Sequence, residues 1–186
     1  RKKGDPKPYD ENDYVPDDSL FGWTFRNWPN YDGNHQSQTG WLVCDDGAME
    51  IADFIHLGEE DGVQVLTLIH VKGGKSKAIS VADYEVVASQ AVKNLRSLDA
   101  NNLSEGLAKK LSEFDNENKK VGNLIWKDGE QQQDRSGLIQ IFKNLGSDYR
   151  RRIVILQPSL AKPQKIKAEE NAKLNKKDEN YARLKQ

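Results

Sequence analysis

The sequence predicts a mixed α/β fold of the α+β kind: a three-stranded antiparallel meander, then helices, then one more strand. Three observations carry that expectation. Apolar and β-branched residues crowd "GWLVC", "AMEIADFIHL" and "VQVLTLIHVK" between residues 40 and 72. The segments "DDG" and "GEEDG" that join them are short and end in glycine, so neighbouring strands should pair as hairpins. From "SVADYEVVASQAVKNLRSL" onward the apolar spacing changes to three or four residues, the period of an amphipathic helix.

Taken in order, residues 1–19 are rich in Pro, Asp and Lys, with almost no aliphatic side chains to repay the entropy of ordering, and read as a linker or arm. Phe21, Trp23, Phe25, Trp28 and Tyr31 follow among turn formers. Two uses are open to them: plugging the edge of a core, or stacking on nucleic-acid bases. Asp46-Gly47 marks the first hairpin, and "GEEDG" the second. Helices are expected over 80–98, with Ser80 as N-cap and Val81, Tyr84, Val87 or Ala88, Ala91, Val92 and Leu95 facing the core. Two more are expected in "NLSEGLAKKLSEFD", despite Gly106, and in "GLIQIFKNLG", where Gly146 would end the helix. "RRRIVILQP" reads as a buried strand stopped by Pro158. The folded domain is therefore placed at 20–160, with 161–186 as a charged helical or disordered tail.

Composition narrows the function. The 186 residues carry 28 basic and 29 acidic side chains, so no global charge announces a nucleic-acid partner, and any such surface must come from local clustering. The single Cys44 excludes an internal disulfide and a multi-cysteine metal site. No apolar run reaches the roughly 20 residues of a membrane span, and the N-terminus lacks the apolar core of a signal peptide, so a cytoplasmic protein is expected. The start at Arg1 and the polar end suggest a piece of a longer polypeptide.

Three polar residues stand out inside the strands: Asp53, His70 and Lys72. If "GEEDG" closes the hairpin with residues near 57 and 64 facing each other, Asp53 lies opposite Leu68, and alternation puts His70 and Lys72 on its face. A slip of one residue would send Asp53 to the other side. A carboxylate and a second ligand holding Mg²⁺ or Mn²⁺, beside a lysine that orients water and balances transition-state charge, is a chemistry that wants this arrangement. His56 alternates onto the opposite face, and His35 sits in a polar loop, so neither is expected to bind metal. Lys75 and Lys77 follow the site directly, and Arg150, Arg151 and Arg152 form a second basic cluster; both are candidates for phosphate contact.

The spacing Asp-x16-His-x-Lys resembles the Asp-xn-(Asp/Glu)-x-Lys signature of the PD-(D/E)XK nuclease superfamily. "VCDDGAMEIADFIHL", "IHVKGG", "DYEVVASQAVKN" and "IVILQPSL", in that order, are similar to a domain at the C-terminal end of bacterial DEAD/DEAH-box helicase-like proteins associated with phage defence. Met49 and Ser89 stand where that pattern often has glycine. The resemblance covers roughly residues 40–160 and implies a restriction-endonuclease-like fold, a DNA substrate, a helicase region as partner, and Asp53, His70 and Lys72 as the site. It also implies a role for Gln90, on the helix after the lysine strand, whose amide can bond a phosphate or a bound water. His70 departs from the pattern, which has Asp or Glu there. Imidazole suits Mn²⁺, Fe²⁺ or Zn²⁺ better than Mg²⁺, so either the metal preference shifts or Glu50 or Glu85 supplies the missing oxygen. The expected activity is metal-dependent DNA hydrolysis. The alternatives are an inert nuclease-like module that binds nucleic acid or a partner protein, and a purely structural Asp53–Lys72 ion pair.

Overall fold

In the computed structural model the described residues are 20–28, 39–45, 50–73, 81–117, 124–132, 135–157 and 162–174. Alternating strands and amphipathic helices assemble into a six-stranded mixed sheet flanked by helices. Its strands are β1 (Trp41–Cys44), β2 (Phe54–Glu60), β3 (Val63–Val71), β4 (Leu124–Lys127), β5 (Glu130–Gln132) and β6 (Arg150–Leu156). They lie in the order β5-β4-β1-β2-β3-β6. The expected meander β1-β2-β3 is antiparallel throughout, and β6 adds beside β3 in parallel. A parallel neighbour needs a crossover, and helices supply it.

The β2–β3 turn differs from the sequence expectation, and the difference sets the site. Asp61 and Gly62 both have positive φ, 53° and 76°, the signature of a two-residue primed turn. Gly58, Glu59 and Glu60 therefore belong to β2 rather than to a five-residue loop, and Glu60 faces Val63. Leu57 pairs with Leu66 instead of Gln64, a shift of two residues. Because side chains alternate with period two, an even shift leaves every face assignment intact. Asp128-Gly129 repeats the device, with φ of 51° and 84°, between β4 and β5. That hairpin is absent from the sequence reading.

Five α-helices are described: α1 (Leu20–Asn27), α2 (Val81–Lys93), α3 (Ala100–Glu117), α4 (Arg135–Lys143) and α5 (Lys162–Lys173). A 3-10 turn over Leu95–Leu98 separates α2 from α3, so the long helix expected over 80–98 stops at Lys93. One sheet face, bearing Val43, Ile55, Leu57, Leu66 and Leu68, forms the main core with Leu103, Leu107, Leu138 and Phe142 of α3 and α4. Gly106 has a packing role in α3, since a Cβ there would stand 3.1 Å from Ile51 Cδ1. The close approach explains a residue that otherwise weakens a helix by about 1 kcal/mol. The other face buries Leu42, Cys44, Phe54, Ile69 and Trp126 beneath Phe21, Phe25 and Trp28.

Phe21, Phe25 and Trp28 thus plug a core, whereas Trp23 is exposed. Phe21 packs on Phe54 and Phe25 on Trp126, each at 4.4 Å between ring centroids. Tyr31 lies outside the described residues, as do Ser80, Asp46-Gly47, His35, Lys75 and Lys77. In α2 the buried stripe is Val87 and Ala91, whereas Tyr84, Val92 and Leu95, expected in the core, are exposed. Gly146 is not a left-handed cap, because α4 has already ended at Lys143.

Candidate functional site

The site is built where β1, β2, β3 and β6 end together beneath α2, which packs on β3 and β6. Extending the β2–β3 pairing one step past Phe54 and Ile69 places Asp53 directly opposite His70, not Leu68 as the five-residue turn would have it. Past Cys44 and Phe54, the β1–β2 pairing likewise sets Asp45 opposite Asp53, and the Asp45 N–H donates to the Asp53 carbonyl at 3.0 Å. His70 itself pairs with Ile155. Asp45, Asp53 and His70 therefore form one row across three strands, on the face that carries Ile55 and Leu68.

Each member of the row is held differently. Asp53 lies just ahead of β2, and its Oδ2 accepts the Val71 N–H at 2.8 Å, which fixes the carboxylate between the backbones of His70 and Lys72. Asp45 is 1% exposed, and its Oδ2 accepts the Ile51 N–H at 2.8 Å. This buried, charge-assisted bond pins the segment that delivers Asp53, and it contributes about 1.5–3 kcal/mol. In the sequence Asp45 reads as a turn residue, the first of Asp-Asp-Gly. The signal available was a pair of acids at a strand end, one of which continues the strand's inward alternation.

His70 is fully buried, and neither Nδ1 nor Nε2 has a hydrogen-bond partner. Burial pushes its pKa below the ordinary histidine value, so the ring is neutral at pH 7. Lys72 is half-buried, and its backbone N–H donates to the Leu156 carbonyl at 2.9 Å, extending the β3–β6 ladder. That ladder keeps Lys72 on the His70 face.

The accessory residues divide. Gln90 Nε2 donates to Glu50 Oε1 at 3.1 Å, and Asn94 Nδ2 reaches the Glu50 carbonyl at 3.4 Å. Glu50 precedes β2, so strand alternation does not govern its direction, and its carboxylate meets Gln90 of α2. Glu85 is exposed on α2. The arginine triplet is not beside the site. Arg151 pairs with Leu66, four residues before His70, which at about 3.3 Å per residue puts it roughly 13 Å away along the strand. There Arg152 binds Glu60 through both nitrogens at 2.7 and 2.6 Å, holding the Glu60 carboxyl below its usual range. Arg151 stacks on Tyr149 at 4.2 Å and donates to the Leu98 carbonyl. Arg150 is exposed.

His56 is on the opposite face, as its alternation requires. Its Nε2–H donates to the Thr39 carbonyl at 2.9 Å, the ring meets Trp28 edge-on, and burial lowers its pKa.

A divalent ion asks for oxygen or nitrogen donors in a deprotonated state. Neutral, unpartnered His70 meets that condition, and Asp53 lies across from it. An imidazole and a carboxylate together would suit an ion that accepts mixed N and O ligands, Mn²⁺ better than Mg²⁺. Among the described residues no three His, Cys, Asp or Glu side chains are grouped to hold a metal. No helix among them is long and apolar enough to cross a membrane. No protein-family model, curated protein or solved structure matches the chain.

Proposed function

We propose that this chain is a metal-dependent nuclease domain that hydrolyses DNA phosphodiester bonds, in the cytoplasm, as a module of a helicase-containing anti-phage defence protein. The observation that carries the proposal is the row at the end of the meander: Asp53 locked on the Val71 N–H, His70 opposite it, and Lys72 next on the same face. This is the arrangement implied by the resemblance to PD-(D/E)XK nucleases, with a hairpin supplying the acid and the lysine strand and a helix covering them.

Asp53 and His70 would hold the divalent ion. When bound, the ion supplies Lewis-acid polarisation of the phosphate and a water of lowered pKa. Lys72 contributes a fixed positive charge beside the scissile phosphate, where it orients the attacking water and offsets charge that grows in the transition state. Gln90 and Asn94 tie Glu50 to α2, and Asp45 ties Ile51 to β1, so the segment carrying Asp53 is held from both sides. Such restraint keeps a reacting group within the narrow geometry catalysis needs.

A second reading is favoured by one observation. His70 is 0% exposed, and a ring so enclosed suits a nuclease-like module that binds nucleic acid or a partner protein without cutting. The two readings part on supercoiled, linear and single-stranded DNA incubated with Mn²⁺, Mg²⁺ or EDTA. Cleavage with a metal and none in EDTA is the expected result. Retention of DNA without cleavage under every condition would give the protein to the second reading.

A further inference from the structure

The β3–β6 pairing carries one more residue into the site. Val71 faces Leu156, so the next step of the same parallel register sets Gln157 beside Lys72, and the Lys72 N–H bond to the Leu156 carbonyl shows that the ladder reaches this far. Alternation along β6 puts Gln157 on the face of Ile155, the neighbour of His70. Both polar atoms of its amide, Oε1 and Nε2, are buried and have no hydrogen-bond partner. An amide taken out of water with neither its donors nor its acceptor used costs about 1–3 kcal/mol. Buried polar groups in native proteins are nearly always paired, so each exception asks for a reason.

The setting supplies one. Among the described residues, the other unpartnered buried side-chain atoms are Trp28 Nε1 and Thr67 Oγ1, one atom on each residue, and both residues belong to the opposite sheet face. On the site face, four atoms of two residues, His70 and Gln157, sit in successive rows that also hold Asp53 and Lys72. A stranded amide in a core would be expected alone. Two polar groups with all their capacity unspent, flanking a lysine at a strand end, point to a shared ligand.

Resting on the nuclease reading above, we infer that Gln157 is a substrate-binding residue of this site, whose amide N–H groups donate to a phosphate oxygen of the nucleic acid beside the Lys72 ammonium. An amide has donors in fixed planar geometry and adds no charge, so it can orient a phosphate that Lys72 attracts. The stability cost of leaving the amide unpaired in the free protein is the mark of a residue kept for binding rather than for folding.

Gln157→Met tests this, because it keeps the length of the side chain and removes the amide. Its thermal midpoint and its affinity for a short fluorescein-labelled DNA duplex in EDTA are compared with those of the unmodified chain. The expected result is a midpoint equal to or above the original, with affinity at least tenfold weaker, the loss of a hydrogen bond to a charged group. Gln157→Glu, of the same shape, should weaken binding further by setting a carboxylate against the phosphate. An affinity within threefold of the original in either variant overturns the assignment, as does a loss that comes only with a lowered midpoint in both. Because the readout is binding in EDTA, an uncut substrate with Mn²⁺ or Mg²⁺ would remove the nuclease reading without deciding the role of Gln157; an unmodified chain that binds no duplex removes that role too.

Discussion

The two ends of strand β3 treat the polar side chains around them in opposite ways. At the Val65–Thr67 end, two of the three arginines of β6 have protein partners, Arg152 in Glu60 and Arg151 in the ring of Tyr149 and the carbonyl of Leu98, while Arg150 is exposed. Tyr149 completes that corner, its hydroxyl donating to Leu98 O at 2.8 Å and accepting the Ala100 N–H at 2.9 Å. At the His70–Lys72 end, acids grip backbone amides, while the imidazole of His70 and the amide of Gln157 bond to nothing. Basic residues are most conspicuous in the sequence at the first end, yet two of the three there bind neighbouring protein groups. Unspent hydrogen-bonding capacity, rather than a run of like charges, is what singles out the proposed site.

Exchanging one charged residue at each end should separate the two most severely. Asp53→Asn should lower DNA cleavage by about a thousandfold or more, the size of effect expected for an essential electrostatic group. Arg152→Ala, assayed in parallel, should leave cleavage unchanged. Comparable losses from both would mean that the arginine end belongs to the site after all. Next in size is Asp45→Ala, which leaves the Ile51 N–H without its acceptor and should lower the unfolding free energy by about 1.5–3 kcal/mol in a urea titration. An unaffected midpoint would remove Asp45 from the frame of the site.

The pH dependence sharpens the contrast further. Burial lowers the folded pKa of both His70 and His56 below the ordinary histidine value of 6.5, so the unfolded chain takes up these protons first. Their stability is complete above the unfolded value and is lost as pH falls below it toward the folded values. The slope is at most about 1.4 kcal/mol per pH unit for each histidine. His70→Leu should therefore flatten the fall in melting midpoint between about pH 7 and pH 5 without abolishing it, since His56 still contributes. An unaltered slope would show that His70 is not held neutral by burial. The smallest effect belongs to Arg152→Ala. Its partly exposed pair with Glu60, with side chains 32% and 43% exposed, is worth no more than about 1 kcal/mol after solvent screening.

Much of this architecture was legible in the residues. Val- and Ile-rich runs marked β2, β3 and β6, and the change of period at Val81 marked α2, because hydrophobic periodicity is set by which face must be buried. What escaped was turn chemistry hidden by its surroundings. Asp61-Gly62 was absorbed into "GEEDG", where two further acids looked like loop, although Glu59 and Glu60 lie at the exposed end of a strand. Asp128-Gly129 stands between strands of four and three residues, too short and polar for alternation to show. The site survived the register error because the error was even: Asp53, His70 and Lys72 kept their common face, and only the partner of Asp53 changed.

Asp45 and Gln157 were not legible for a different reason. One reads as the start of an Asp-Asp-Gly turn and the other as the last residue before Pro158, and both are ordinary tokens at strand ends. Their importance comes from long-range pairing, with β1 placing Asp45 against Asp53 and β6 placing Gln157 against Lys72. The arginine triplet raises the converse case, since Arg151 and Arg152 meet partners distant in sequence. Local charge density cannot tell whether Glu60 and Tyr149 lie close enough to occupy it.

The most direct test of the site is cleavage of supercoiled DNA in Mn²⁺ by the unmodified chain and by Lys72→Ala, with duplex affinity and melting midpoint measured on both. The lysine variant should fold and retain DNA but no longer cut it. Cleavage by Lys72→Ala at the original rate would contradict the assignment and move the chemistry away from the end of β3.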